Sequence, residues 1–283
     1  MEHLDGFESL AERYDGFILD LWGVVHDGVK PYPGAILCLT RLRDAGKPVV
    51  LLSNAPRRAS AAQAALEHMG IGADLYTGII TSGEATHLAL RDRVDPWHAG
   101  LGPRVFHLGP ERDRNVLDGL ELTRVAAPSE ADFVLNTGPD DERDPSNPAE
   151  FEAVLEDCLR HDLPMLCANP DLEVVRDGKR LICAGLLGER YAELGGEVRS
   201  LGKPDPAIYA PVLERLSVAP ERVLAVGDSL RTDIAGAKAA GVDACWVLGG
   251  IHGAALGGDP EKARAEAHGA GLFPVASVVG FAW

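Results

Sequence analysis

The sequence predicts an α/β protein in which a doubly wound parallel sheet is interrupted by an inserted second α/β unit. Short apolar runs alternate with helical segments over residues 16–70, and the same alternation returns over residues 206–248. Strands that are apolar throughout and that short loops join to helices are typical of parallel sheets with helices on both faces. The length of 283 residues suits such a core with one elaboration better than a single small domain.

The first segment begins with a continuous apolar run, GFILDLWGVV at residues 16–25, which contains one carboxylate and predicts a buried strand. The elements predicted after it are a helix at residues 35–45, a strand at 48–53 and a helix at about 60–69. Gly46 and Gly70 follow the two helices, as expected where a glycine ends a helix.

The last segment repeats this order of elements. Those predicted are a helix at residues 206–216, a strand at 222–226, a helix at 230–240 closed by Gly241, and a strand at 243–248. The terminal stretch GLFPVASVVGFAW is apolar and is expected to pack on the core, but its pattern does not distinguish helix from strand.

The middle of the chain has a different pattern of predicted elements. Strands separated by helical segments are predicted at residues 104–108, 132–136 and 164–168. We therefore expect a second α/β unit inserted into the first one. The predicted boundaries assign residues 1–85 and 200–283 to the core and residues 86–199 to the insertion.

The charge and the cysteine pattern limit the class of partner. The chain carries 43 acidic and 27 basic residues, a formal net charge of −16, which argues against nucleic acid or an anionic membrane as partners. The amino terminus does not resemble a secretory signal, no apolar run reaches membrane-spanning length, and the five cysteines lack metal-binding spacing. We expect a cytoplasmic protein with reduced thiols and no membrane partner.

Polar residues stand where predicted strands end. Asp20 interrupts the first apolar run, and Ser53 and Asn54 end the second strand. Ligands of open α/β sheets bind at the carboxyl ends of strands, where a buried carboxylate is costly unless it is paired or metal-bound. A hydroxyl with neighbouring turn N–H groups can form an anion pocket there. The alternative is that these three residues only cap turns.

Lys203 lies between Gly202 and Pro204, just before a predicted helix. A lysine that is held rigidly at such a position can neutralise a phosphate or pair with a carboxylate. The alternative is a solvated surface lysine, which suits the Gly-Lys-Pro setting less well.

The most specific motif is VLAVGDSLRTD at residues 223–233, in which a buried strand ends at Asp228 and Asp233 follows five residues later. A strand, loop and helix in this order can place both carboxylates around one Mg²⁺ ion, which prefers oxygen ligands. The alternative is that Asp228 or Ser229 caps the helix and Asp233 interacts with its dipole. That alternative leaves the third carboxylate, Asp20, unexplained.

Taken together, the order of these motifs resembles that of the haloacid dehalogenase (HAD) superfamily. The long interval between Asn54 and Lys203 leaves room for the large cap of class IIA members, and Asn169-Pro170-Asp171 resembles the Asn-Pro-Asp signature of those caps. The resemblance covers nearly the whole chain. It implies a HAD-like core, a cap at residues 86–199 and a phosphatase of the nitrophenylphosphatase-like branch.

The resemblance also implies a role for each motif residue. Asp20 would be the covalent nucleophile, Lys203 would neutralise charge, and the substrate would be a small phosphorylated molecule. The Mg²⁺ ligands that it implies are Asp20, the Trp22 carbonyl, Asp228 and Asp233, and the groups that bind phosphate or substrate are Ser53, Asn54, Lys203 and Asp171. Assembly of a homo-oligomer through the cap is a further expectation.

One position departs from the family pattern. Phosphatases of this superfamily usually carry a second Asp two residues after the nucleophile, and this chain has Trp22 there. An indole cannot perform acid–base catalysis. Two alternatives therefore stay open: a dehalogenase-type hydrolase, and a catalytically weakened regulatory protein that binds Mg²⁺ and phosphate.

Overall fold

The computed structural model describes residues 1–176, 179–251 and 253–283. The chain forms two compact units. The first comprises Met1–Ser53, Gln63–Ile80 and Lys203–Trp283, and the second comprises Asn54–Ala62 and Thr81–Gly202. The structure thus groups residues 54–62 with the second unit, which the sequence did not indicate, and the boundaries at 85/86 and 199/200 stay predictions.

The described strands, in chain order, are β1 (Glu2–Leu4), β2 (Gly16–Leu19), β3 (Val49–Ser53), β4 (Gly78–Thr81), β5 (Arg104–Leu108), β6 (Thr123–Val125), β7 (Phe133–Asn136), β8 (Met165–Cys167), β9 (Glu173–Arg176), β10 (Lys179–Ile182), β11 (Val198–Ser200), β12 (Val223–Gly227), β13 (Asp243–Val247) and β14 (Ala276–Val278). The described α-helices are α1 (Glu8–Arg13), α2 (Ala35–Asp44), α3 (Ala59–His68), α4 (Ser82–Asp92), α5 (Pro96–Gly100), α6 (Glu152–Arg160), α7 (Ala184–Glu193), α8 (Ala210–Leu216), α9 (Ala235–Ala240), α10 (Gly253–Leu256) and α11 (Pro260–Gly269).

The central sheet of the first unit has the strand order β1-β14-β13-β12-β2-β3-β4. Each neighbouring pair from β1 to β3 runs parallel. Strands from the two ends of the chain meet at β12 and β2, as expected if a second unit is inserted into the first. The predicted α/β class with a parallel sheet is confirmed.

The first strand is shorter than predicted. β2 ends at Leu19, and the chain then turns, with the Val25 N–H donating to the Leu21 carbonyl at 2.9 Å. Gly23 has a φ of +84°, a conformation that ends an extended strand. The prediction of a strand over residues 16–25 was therefore wrong after Leu19, and Asp20 directly follows the strand.

Other predicted elements are confirmed with changes of detail. The helix predicted at 230–240 begins as a π-helical turn at Leu230–Ile234 before α9. The helix predicted at 206–216 begins as a 3₁₀ turn at Pro206–Ile208 before α8. The apolar terminal stretch supplies β14, which lies between β1 and β13.

The second unit has its own parallel sheet, in the order β11-β8-β7-β5-β6. Apolar side chains cover both faces: Tyr191 of α7 packs with Met165 on one face, and Leu90 of α4 packs with Phe133 on the other. β9 and β10 form a separate antiparallel ribbon. None of the described helices combines the length and the apolar composition that crossing a bilayer requires.

Candidate active site

Three neighbouring parallel strands of the first unit end in polar residues. Asp20 follows β2, Ser53 is the last residue of β3, and Asp228 follows β12. β2 lies between β12 and β3, so these side chains stand at the same edge of the sheet. This is the edge at which open α/β sheets bind ligands.

Asp20, Asp228 and Asp233 form a buried carboxylate cluster. One oxygen of each lies within 4.8 Å of an oxygen of the other two. Asp233 reaches the cluster through the π-helical turn, where its Oδ2 accepts the Ser229 N–H at 3.0 Å. Ser229 also caps this turn, since its side chain accepts the Thr232 N–H. Ser229 therefore caps the helix, as the alternative predicted, and the three carboxylates form a cluster as well.

Lys203 lies inside the cluster. Its side chain is 3% exposed, and Nζ donates to Asp20 Oδ1 at 2.7 Å and to Asp233 Oδ1 at 2.6 Å. Nζ also donates to the Leu52 carbonyl at 3.1 Å. The alternative of a solvated surface lysine is wrong, because the ammonium group directs all three of its hydrogens to protein oxygens.

Asp228 is held by groups that the sequence motifs did not indicate. Its Oδ2 accepts the Ile251 N–H at 2.6 Å, and its carbonyl accepts the indole N–H of the fully buried Trp246 at 2.9 Å. A Cβ atom at Gly23 or at Gly250 would collide with the Asp228 carboxylate. The glycine pair that follows β13 was the available signal for this close approach.

Burial raises the pKa of the Asp228 carboxyl well above its ordinary value, and the neighbouring Asp20 and Asp233 carboxylates raise it further. The three carboxylates carry more negative charge than the Lys203 ammonium neutralises. A hard divalent cation is the natural counter-ion for such a set of oxygens. The residues therefore fit the predicted Mg²⁺.

Asn54 and Asp171 form a hydrogen bond within the second unit. The Asn54 Nδ2 donates to Asp171 Oδ1 at 2.8 Å, and the Asp171 N–H donates to Asn169 Oδ1 at 3.0 Å. The Asn-Pro-Asp segment thus forms an Asx turn whose last carboxylate orients the Asn54 amide. The predicted contact between Asp171 and a substrate stays a prediction.

Comparison with known proteins assigns the family. A haloacid dehalogenase-like hydrolase model matches residues 17–123, and a HAD-hydrolase-like model matches residues 200–269. Chronophin from Bos taurus is 30% identical over 267 residues, which cover 86% of this chain and 84% of that protein. The chain belongs to the HAD family of hydrolases.

Solved structures of HAD hydrolases share this fold. A haloacid dehalogenase-like hydrolase from Brucella suis 1330 is 32% identical, with a TM-score of 0.84 and coverage of 98% of this chain and 99% of that one. Glycerol phosphate phosphatase from Mycobacterium tuberculosis, solved in complex with magnesium, is 26% identical, with a TM-score of 0.63 and coverage of 85% and 70%. The class IIA resemblance is confirmed by relatives of this kind.

Trp22 occupies the position where HAD phosphatases usually carry their acid–base Asp. Its indole contacts the His26 ring edge-on, with 5.6 Å between ring centroids, and a Cβ at Gly28 would collide with the indole. His26 is buried, and its Nδ1 accepts the Gly28 N–H at 3.0 Å, so the neutral imidazole carries its hydrogen on Nε2. The Trp22 carbonyl as a metal ligand stays a prediction.

Proposed function

We propose that this HAD hydrolase is a Mg²⁺-dependent phosphatase that acts on a small phosphorylated metabolite through an aspartyl-phosphate at Asp20. The observation that carries the proposal is the buried cluster of Asp20, Asp228 and Asp233 around the Lys203 ammonium. The similarity to chronophin and to glycerol phosphate phosphatase supports phosphate as the group transferred.

In the first half-reaction, a carboxylate oxygen of Asp20 attacks the phosphorus atom. A P–O bond forms to Asp20, the bond to the leaving alcohol breaks, and its electron pair stays with the leaving oxygen. Lys203 holds the Asp20 carboxylate by one hydrogen bond and lowers the cost of bringing an anionic phosphate beside it. The Ser53 hydroxyl and the Asn54 N–H bind the oxygens of the transferring group.

Asp228 and Asp20 would hold the magnesium ion with the Trp22 carbonyl, and Asp233 would lie in or beside the ligand set. When bound, Mg²⁺ supplies positive charge that neutralises the transferring phosphoryl group. In the second half-reaction, the oxygen of a water molecule attacks the phosphorus, the bond to Asp20 breaks with its electron pair returning to the Asp20 carboxylate, and phosphate leaves with both hydrogens of the water.

Trp22 limits the class of substrate. Without a carboxylic acid at this position, the leaving oxygen departs unprotonated, so phosphates with acidic leaving groups are favoured. Aryl and acyl phosphates meet that condition, whereas sugar and alkyl phosphates do not. Because Trp22 cannot act as an acid, a catalytically weakened protein that binds Mg²⁺ and phosphate is the second candidate function. The retained Asp228 and Asp233 carboxylates disfavour the dehalogenase alternative, which has little use for paired carboxylates there.

The test is hydrolysis of nitrophenyl phosphate with magnesium, with a chelator, and by Asp20→Asn. We expect activity only with the metal and its loss in the variant, while the circular dichroism spectrum is unchanged. Asp15→Asn is a matched control, because Asp15 lies just before β2 and pairs with Arg222 and Lys47 at the opposite end of the strand. Full activity of Asp20→Asn, or activity insensitive to chelation, would refute the proposal.

A further inference from the structure

The hydrogen bond between Asn54 and Asp171 joins two backbone segments that are far apart in the sequence. Asn54 follows the phosphate-binding Ser53, and Asp171 ends the Asn-Pro-Asp turn after β8. The geometry of that bond therefore depends on what fixes the two backbones next to it. On the first segment the adjacent residue is Ala55, and on the second the residue before the turn is Ala168.

One buried side chain contacts both of these backbones. Ser82, the first residue of α4, has no exposed surface, and its Oγ lies 2.5 Å from the Ala168 carbonyl oxygen and 3.1 Å from the Ala55 carbonyl oxygen. A hydroxyl has one hydrogen to donate, so the two carbonyls share it. The Ala55 carbonyl also accepts the Gly83 N–H at 3.1 Å. The start of α4 thus binds the backbone beside Asn54 and the backbone beside the Asn-Pro-Asp turn at once.

A neighbouring hydroxyl strengthens the attachment. Thr81 Oγ1 donates to the Arg57 carbonyl at 2.6 Å and also accepts the Glu84 N–H at 2.9 Å as the cap of α4. The segment from Asn54 to Arg57 is therefore bound at alternate carbonyls by two consecutive side chains. All of these residues belong to the second compact unit.

We propose that Ser82 is a positioning residue for phosphate binding, which sets the Asn54–Asp171 pair by holding both of the backbones that carry it. This inference rests on the proposed role of Ser53 and Asn54 in binding phosphate. Ser82 is fully buried, so it would act through the Asn54–Asp171 pair and not by touching a substrate. Because the Ala55 carbonyl keeps the Gly83 N–H as a donor, loss of the hydroxyl displaces the loop without unfolding it.

The test compares Ser82→Ala with Thr86→Val. Thr86 is a matched control, because its hydroxyl is also fully buried on α4 and donates at 2.8 Å to the Ser82 backbone carbonyl, rather than to the Ala55 or Ala168 carbonyl that the Ser82 hydroxyl binds. The measurements are inorganic phosphate binding by calorimetry with magnesium present, and KM and kcat for nitrophenyl phosphate. We expect Ser82→Ala to weaken phosphate binding and raise KM by about three- to tenfold, with kcat within about twofold, as suits loss of one neutral hydrogen bond. Thr86→Val should leave phosphate binding, KM and kcat unchanged, even if its melting temperature falls as much as that of Ser82→Ala.

Two further measurements separate positioning from general loosening. Hydrogen exchange of the amides in residues 55–58 should increase in Ser82→Ala and not in Thr86→Val. In an Asp171→Ala background, Ser82→Ala should weaken phosphate binding by less than about twofold, because the pair that it positions is already gone. Normal phosphate binding by the wild type with no change in Ser82→Ala would overturn this inference alone. A wild type that bound no phosphate would overturn the proposed function as well.

Discussion

Replacement of Lys203 by Met should destabilise the metal-free protein strongly. The substitution keeps most of the side-chain volume and removes the ammonium group that lies 2.7 Å from Asp20 and 2.6 Å from Asp233. Three buried carboxylates then face one another without a cation from the protein. Removing one partner of a buried ion pair costs about 3–5 kcal/mol, because the remaining charge is neither solvated nor paired. The folding equilibrium should therefore shift by roughly 10²- to 10⁴-fold.

The loss should depend on pH in a defined direction. Burial raises the pKa of the Asp228 carboxyl and the Lys203 ammonium lowers it, so without the ammonium Asp228 ionises at still higher pH in the folded state and the folded protein binds more protons than the unfolded protein. Stability then decreases as pH rises. The difference in unfolding free energy between wild type and Lys203→Met should thus grow as pH rises above the ordinary range of carboxyl pKa values. Magnesium should recover part of it by replacing the missing positive charge.

Urea denaturation of metal-free protein measures this difference, with Lys47→Met as the control. Lys47 also pairs with a carboxylate, Asp15 at 2.9 Å, but that carboxylate is 47% exposed. Water replaces such a pair readily, so the control should lose far less stability than Lys203→Met. Equal losses in the two variants, or a loss in Lys203→Met that does not change with pH, would refute the electrostatic account of the cluster.

The metal-free wild type should lose thermal stability as pH rises, because the raised pKa of Asp228 means that the folded state holds a proton that the unfolded state releases. A melting temperature that did not change with pH in the absence of magnesium would contradict this. Calorimetry should show that Asp228→Ala weakens Mg²⁺ binding more than Asp233→Ala does, because both oxygens of Asp233 already accept hydrogen bonds from the protein. Unchanged Mg²⁺ affinity in Asp228→Ala would exclude Asp228 as a ligand. Trp22→Asp should raise turnover of alkyl phosphates selectively, by up to about 10²-fold, and equal wild-type rates on alkyl and aryl phosphates would reveal another acid. Asp171→Ala should change the relative rates on a panel of phosphate esters, and an unchanged profile would leave the Asn-Pro-Asp segment a simple turn.

The carboxylate cluster could be predicted from the sequence because two independent regularities apply to its residues. Apolar runs identify buried strands, and the topology of parallel sheets brings the carboxyl ends of those strands to one edge. Asp228 directly follows such a run and Asp20 interrupts one, so the prediction that they lie close together did not depend on the loops between them. The contacts of Lys203 were less certain, because a flexible side chain on a loop has many available directions until the fold buries it.

The groups that hold the site were less accessible to sequence reasoning. The N–H of Ile251 binds Asp228, yet any non-proline residue supplies an N–H, so residue identity gives no signal. Ser82 looks like an ordinary helix-start residue, and its two carbonyl partners lie 27 and 86 positions away. The three-residue strands β1 and β14 also escaped prediction, because pairing with distant strands, more than local preference, decides such short elements.

The grouping of residues 54–62 with the second unit bears on whether the insertion is a separable module. A shortened chain that joined residue 85 to residue 200 would keep the segment after Ser53 but delete Asp171, which accepts from the Asn54 amide, and the Asn115 side chain, which accepts the Arg58 N–H. The loop would then have to find new hydrogen bonds or become mobile next to Ser53. Recombination of this core with a different insertion would therefore have to exchange the loop along with it, and the natural unit of exchange has two non-contiguous pieces.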